Sequence, residues 1–237
     1  MRQTTAGEKR MPSELVHDQL RGAILEGEFA PGEALKPQVL AARYGASVAM
    51  VREVLTTLAG EGVADRLPNR GFAVPTFGDR RWQEIIEARR TVEPAILRLS
   101  VARGDLEWET RVRAASHRLA RTAMYSTAEA TSYSGAWGRA HHLFHRTLLE
   151  GCGNAALLET FDRLWVASEL ARRLSVHPDR RTSESDVVEQ HRRLEEAAVS
   201  RDPDAAAAQL VAHLGLTAAV LTDGSPLPRD ADRMPTT

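Results

Sequence analysis

Ser47-Val48-Ala49-Met50-Val51-Arg52-Glu53-Val54-Leu55-Thr56-Thr57-Leu58 decides how the first third of this chain folds. Val51, Leu55 and Leu58 recur at i, i+4 and i+7, which sets three apolar side chains on one face of a helix. Ser47 stands where an N-cap belongs, and Gly60 and Gly62 end the segment. The opposite face presents Val48, Ala49, Arg52 and Thr56. One face needs a core. The other, small and carrying a single arginine, suits a helix laid in a DNA major groove.

The flanks extend this reading. Upstream, Ser13 to Glu26 place Val16, Leu20 and Ile24 on one helical face, with Leu15 and Ala23 beside it, and end at Gly27. Phe29-Ala30-Pro31-Gly32 supplies a turn. Lys36 to Tyr44 predict a short second helix carrying Val39, Leu40 and Ala42 and stopping at Gly45. Downstream, the β-like runs Val63–Leu67 and Phe72–Phe77 flank Pro68-Asn69-Arg70-Gly71, a hairpin turn. Three helices and a hairpin over residues 13–77 predict a winged helix-turn-helix. The net charge of the whole chain is only −1. Yet no acidic residue lies between Lys36 and Arg52, while Lys36, Arg43 and Arg52 make that stretch cationic. Arg70, at the hairpin tip, is placed to reach a DNA backbone or minor groove.

The same residues resemble the winged helix of the GntR family. The resemblance rests on Leu20-Arg21, Gly27, Ala30-Pro31-Gly32-Glu33, Leu40-Ala41, Ser47, Val51-Arg52-Glu53, Glu61-Gly62 and Asn69-Arg70-Gly71. It implies DNA contacts from Ser47, Arg52, Arg70 and Gly71. The family usually reads Ser-Arg-Thr-Pro-Val-Arg-Glu-Ala-Leu across the third helix. Here Val48 and Ala49 replace the arginine and threonine that relatives aim at bases. Valine and alanine can still touch a thymine methyl, so the expected operator differs from the common one or is held more weakly.

Beyond Asp79 the pattern turns helical throughout. Segments 79–103, 105–124, 127–150, 154–175, 183–200 and 202–222 predict an all-α bundle of about six helices, so the whole chain reads as mostly α. The first carries Ile85, Ile86, Val92, Ile96 and Leu99 and is interrupted at Pro94; the second carries Leu106, Val112 and Leu119. Asn154 and Asp202-Pro203 read as helix starts, and His177-Pro178 as a break. Residues 1–12 and 223–237 read as a flexible N-terminus and tail.

Within the third segment, Ala140-His141-His142-Leu143-Phe144-His145 sets two imidazoles one turn apart on one face, the spacing two helical ligands need to share an ion. His191 and His213 lie on later helices. Convergence of the four would make a metal site. His17, His117, His142 and His177 read as core or surface histidines.

This half resembles the FCD ligand-binding domain of the FadR-type GntR proteins. Glu87-Ala88-Arg89, Glu93-Pro94, Phe144-His145, Gly153-Asn154, His191 with Ala197, and His213-Leu214 carry the likeness. In metal-binding members an aspartate four residues before the Phe-His histidine joins it and two later histidines around a divalent cation. By position the set here is His141, His145, His191 and His213, with His141 in place of the aspartate. Four neutral imidazoles favour a divalent transition metal, Zn²⁺ or Ni²⁺ first, over Mg²⁺ or Ca²⁺. The family's effectors are small carboxylates. Arg89 matches its first-helix arginine and could fork such an anion. Glu93 either joins it there or pairs with it, and Trp137, one turn before His141, walls the pocket or packs the core. Arg172 and Arg173 read as surface or interface residues.

The expected protein is a DNA-binding regulator of repressor type. It works as a homodimer on a palindromic operator, controlled by a carboxylate beside the ion. Two alternatives stand beside it: a regulator that senses the metal alone, and a His-ligated metalloenzyme. The second lacks a general base, because His141-His142 occupy the place that Glu takes in His-Glu-x-x-His. A single cysteine, Cys152, excludes an internal disulfide and fits a cytoplasmic location. No stretch approaches the ~20 apolar residues of a membrane span.

Overall fold

A computed structural model describes residues 12–76, 78–127, 133–174 and 183–222. The expectations for residues 1–11, Phe77, the His177-Pro178 break and the tail after 222 lie outside the described residues. The chain divides into two compact units, Met1–Pro75 and Thr76–Thr237.

The first unit is built from α1 (Ser13–Leu25), α2 (Pro37–Arg43), α3 (Val48–Gly60), β1 (Asp65–Leu67) and β2 (Gly71–Ala73). Its core is the pair of faces expected from periodicity: Val16, Leu20 and Ile24 from α1 meet Val51, Leu55 and Leu58 from α3. Burying six such side chains contributes on the order of 10 kcal/mol against the entropy of ordering them. Ser47 caps α3, its hydroxyl accepting from the Met50 amide at 3.1 Å. In α2 the apolar face differs from expectation. Leu40 and Ala41 point inward, while Val39 is 60% exposed and Ala42 is exposed. With Pro37 at the first turn the helix has only two turns, and Leu40 with Tyr44, four residues on, defines its inner edge.

The hairpin is shorter than expected. β1 and β2 pair antiparallel in the register Asp65↔Ala73, Arg66↔Phe72 and Leu67↔Gly71. Val63 and Ala64 are buried where the chain leaves α3, outside the ladder. The turn needs left-handed backbone at Asn69 (φ 58°) and Gly71 (φ 88°), conformations that Asn and Gly tolerate. Sequence reading missed a third participant. Leu35 donates to the Phe72 carbonyl at 2.8 Å, Gly32 to Val74 at 3.0 Å, and Val74 to Glu33 at 2.9 Å. The segment after the Pro31 turn therefore covers one edge of the hairpin.

The second unit holds six helices among the described residues: α4 (Asp79–Arg103), α5 (Leu106–Ala120), α6 (Gly135–Glu150), α7 (Ala155–Leu174), α8 (Glu184–Val199) and α9 (Pro203–Thr222). α4 is central and packs against α6, α7 and α9, while α5 packs against α6 and α8. The expected starts hold: Asn154 accepts from Leu157, and Asp202 from Asp204 and Ala205. Pro94 does not interrupt α4, which runs unbroken through it; the cost of one missing hydrogen bond is met by a helix buried on several sides. Leu106 is 72% exposed rather than core, because it is the first residue after the Asp105 cap.

The start of α6 corrects a longer expectation. The helix begins at Gly135, not near 127, because the Ser134 hydroxyl caps it by accepting from Trp137 at 3.1 Å. Just before it, Tyr125 bridges Tyr133 and the Ser134 amide donates to the Met124 carbonyl. At the other end of α6, α4 comes very close. The Ser100 hydroxyl donates to the Leu149 carbonyl at 2.6 Å, and a Cβ on Gly151 would stand 2.7 Å from the Ser100 carbonyl oxygen. Only glycine fits there.

Candidate metal centre and nucleic-acid interface

In the first unit the outer face of α3 is as expected. Val48, Ala49, Arg52 and Thr56 are exposed, opposite the buried Val51, Leu55 and Leu58. No acidic partner holds the Arg52 guanidinium among the described residues, and Arg70 stands exposed at the wing tip beside Gly71. Ser47 is occupied as the α3 cap. Lys36 is exposed just before α2. Arg43 is engaged: it pairs with Glu28 and lies over the Phe29 and Tyr44 rings. His17 ties α1 to the end of α3, bonding Glu61 at 2.7 Å, and Arg21 joins the same carboxylate at 3.2 Å.

In the second unit the four predicted histidines come together. His141 and His145 from α6, His191 from α8 and His213 from α9 each offer a nitrogen, and these nitrogens lie within 4.8 Å of one another. All four side chains are buried. The His145 and His191 Nε2 atoms are 3.3 Å apart. Two nitrogens bound to one tetrahedral ion at ~2.0–2.1 Å would be about 3.3 Å apart.

Protonation supports the ligand form. Burial first, then the positive charge of neighbours, pushes His141, His145 and His213 well below the ordinary histidine value. Burial lowers His191 to about 4, against a backbone hydrogen bond that raises it. Each imidazole is therefore neutral at pH 7 and has a lone pair to give. The His191 Nδ1–H donates to the Val187 carbonyl at 2.7 Å, which turns its Nε2 lone pair towards the cluster. The decisive residue is His141. Both of its ring nitrogens are buried with no hydrogen-bond partner among the described residues. An orphaned buried group of this kind costs roughly 1–3 kcal/mol, and an ion among the four imidazoles removes that cost for the nitrogen it binds. The donor set fits a borderline transition metal.

Around the histidines stands a shell of aromatic and charged side chains. Trp137 stacks on His141 at 4.5 Å and 21°. Together with Arg121, Met124, Val187 and Val188 it also lines a cavity of about 290 Å³. Arg89 (2% exposed) and Glu93 (0%) form a buried ion pair: Nε donates to Glu93 at 2.5 Å, Nη2 to Glu93 at 3.3 Å and Nη1 to Ser168 at 2.7 Å. Of the two readings of Glu93, pairing is the one realised in this structure.

Arg172 departs from expectation. It is buried, not surface, and pairs with the buried Glu169. Trp165 explains the location: Arg89 and Arg172 lie over its ring at 5.2 and 5.5 Å, and the ring touches His141 and His145 at 4.9 and 5.2 Å. Spacing held the signal, since Trp165, Ser168, Glu169 and Arg172 fall at i, i+3, i+4 and i+7 on one face of α7. The side chain of Arg173 lies outside the described residues. His142 bonds Asp162 at 3.3 Å and lies beside Trp165, its ring 5.2 Å from that of the tryptophan, and His117 is exposed. Neither joins the cluster.

Comparison with known proteins agrees with both units. Residues 12–74 match the gntR family of bacterial regulatory proteins, and residues 84–216 match the FCD domain. The chain is 31% identical over 200 residues to the HTH-type transcriptional repressor GlaR of Escherichia coli, covering 82% of this chain and 89% of that protein. It is 30% identical over 201 residues to the HTH-type transcriptional regulator BphR of Paraburkholderia xenovorans, covering 85% and 81%. Among solved structures, E. coli McbR/YncC superposes with a TM-score of 0.72 at 21% identity, covering 88% of this chain and 96% of that one. A GntR protein from Rhodococcus sp. RHA1 gives 0.71 at 23%, covering 90% and 99%.

Proposed function

The chain belongs to the GntR family, as a DNA-binding transcriptional regulator with an FCD domain, and on that premise we propose that a carboxylate bound beside a histidine-held metal ion controls its hold on DNA. The family and its relatives are regulators, not enzymes. No helix among the described residues is long and apolar enough to cross a membrane.

The reading of the effector end rests on one observation: four buried neutral imidazoles converge, and His141 has no other use for its nitrogens. His141, His145, His191 and His213 hold the ion, Zn²⁺ or Ni²⁺ by the softness of the donor set. The ion supplies a positive charge that no protein carboxylate among its ligands cancels, which favours an anionic ligand as a further donor beyond the four imidazoles. Arg52, Arg70, Val48 and Ala49 meet the DNA, with Ser47, Lys36, Arg43 and Gly71 supporting that face. A homodimer presents two such faces to a palindromic operator, and the protein acts as a repressor. Effector binding changes DNA affinity to the extent that the anion prefers one arrangement of the bundle over another.

Gel retardation with a fragment of the chain's own upstream region tests this. Zinc-loaded protein should retard the fragment, and a small carboxylate should shift the midpoint by about 5- to 150-fold. A response to zinc alone, with no effect of any carboxylate, would make the ion the signal. Absence of retardation in every condition would contradict the reading.

A further inference from the structure

Two buried arginines flank the histidine centre, and their hydrogen bonding differs. Arg89 has a partner for each of its three nitrogens: Nε and Nη2 donate to Glu93 and Nη1 to Ser168. Arg172 is 7% exposed and gives one nitrogen to Glu169. Its Nε is buried and has no hydrogen-bond partner among the described residues. A guanidinium cannot shed its proton to escape this, so none of the described groups receives that N–H. The positive charge of Arg172 acts on all four imidazoles, while that of Arg89 acts on His145 and His213. Trp165 touches Arg172 on one side and His141 and His145 on the other.

We propose that Arg172, not Arg89, is the anion-holding residue of this site, its idle Nε–H receiving a carboxylate oxygen of the effector. The inference rests on the effector reading above. Arg89 and Glu93 then form the fixed frame that positions Trp165. Glu169 is the internal competitor: it neutralises Arg172 when no ligand is present and yields part of that role when one arrives. A purely structural ion pair would lose stability alike when either partner is removed. A ligand-binding arginine with a competing glutamate gives opposite signs in the two variants.

The experiment uses full-length protein loaded with Co²⁺, whose visible absorption reports its ligands. Metal content is measured first, and succinate, lactate and acetate are titrated in turn. The anion giving the largest spectral change in the wild type is carried to the variants, with the rise in melting temperature as a second readout. Arg172→Gln should keep its cobalt and bind the anion about 10- to 100-fold more weakly. Glu169→Gln should bind it more tightly. The double variant Arg172→Gln/Glu169→Gln, which leaves no uncompensated charge, should bind as weakly as Arg172→Gln. Cobalt-loaded Arg172→Gln, or the double variant, with wild-type anion affinity would overturn the assignment, as would weaker binding by Glu169→Gln. A wild type that takes up no cobalt contradicts the metal reading instead. A cobalt-loaded wild type indifferent to all three anions contradicts both.

Discussion

Arg52 and Arg172 are both helical arginines, and they stand in opposite surroundings. Among the described residues, Arg52 projects from α3 into solvent with no acidic partner, over a unit whose buried side chains are apolar apart from Tyr44. Arg172 lies inside the second unit, where Arg89, Glu93, Glu169 and four histidines are buried with it. In the first unit charge stays outside the core, and its ion pairs lie at the surface or half-buried. In the second unit charge is part of the core. Every polar group there must be paired, because desolvation penalises each orphan. Among the described residues, the His141 ring nitrogens and the Arg172 Nε are orphans at the histidine centre, where they mark the place of a ligand; the Trp82 Nε1 on α4 is a further orphan of this unit.

pH separates the two units most strongly. Burial lowers the four clustered histidines, so the folded second unit binds fewer protons than its unfolded chain. Its stability is complete above pH ~6.5 and is lost as pH falls towards about 4, the value of His191. The loss reaches about 1.4 kcal/mol per histidine for each pH unit in that window. His17 in the first unit has the opposite sign. Burial lowers it, but hydrogen bonds to Asp18 and Glu61 win and raise it. Its contribution is present at low pH and lost as pH rises through the raised value. All four tryptophans (Trp82, Trp108, Trp137 and Trp165) lie in the second unit, so their fluorescence follows that unit alone. For metal-free protein taken from pH 7.5 to 5.5, the tryptophan-detected melting temperature should fall steeply. An unchanged value would break the contrast.

A smaller effect comes from removing half of a buried pair. Glu93→Ala leaves Arg89 charged and unmatched, at a cost of roughly 3–5 kcal/mol in denaturant unfolding followed by tryptophan fluorescence. A loss below about 1 kcal/mol, the range of surface ion pairs, would show that water reaches the pair. Arg52→Ala sharpens the comparison from the other side. It should cost about 1–3 kcal/mol in operator affinity, measured by fluorescence anisotropy, and leave metal content and melting untouched. Undiminished operator affinity would remove Arg52 from the interface.

The same contrast decides what could be read without a structure. The α3 faces were legible because a helix with one apolar side must bury it, and Val51, Leu55 and Leu58 have no other use. His141 and His145 were legible because their spacing is local. Arg172 was not, because arginine is rarely buried and its burial depends on Trp165 and Glu169 lining up along α7 and on α4 supplying Arg89 opposite. The start of α6 was hidden for a related reason. The signal was present in Ser134-Gly135, a cap residue and a breaker, but was outweighed by the helical pattern on either side; the Ser134 cap decides the boundary through one hydrogen bond. The pairing of residues 32–35 with β2 joins segments far apart in the chain, and such pairing leaves no local pattern.

Metal content by elemental analysis tests the central claim most directly. Protein stripped by a chelator, refilled with zinc and desalted should carry about one ion per chain. His141→Ala, which removes the imidazole with no other partner, should carry far less, as should His145→Ala. A wild type without zinc, or full occupancy in both variants, would contradict the account.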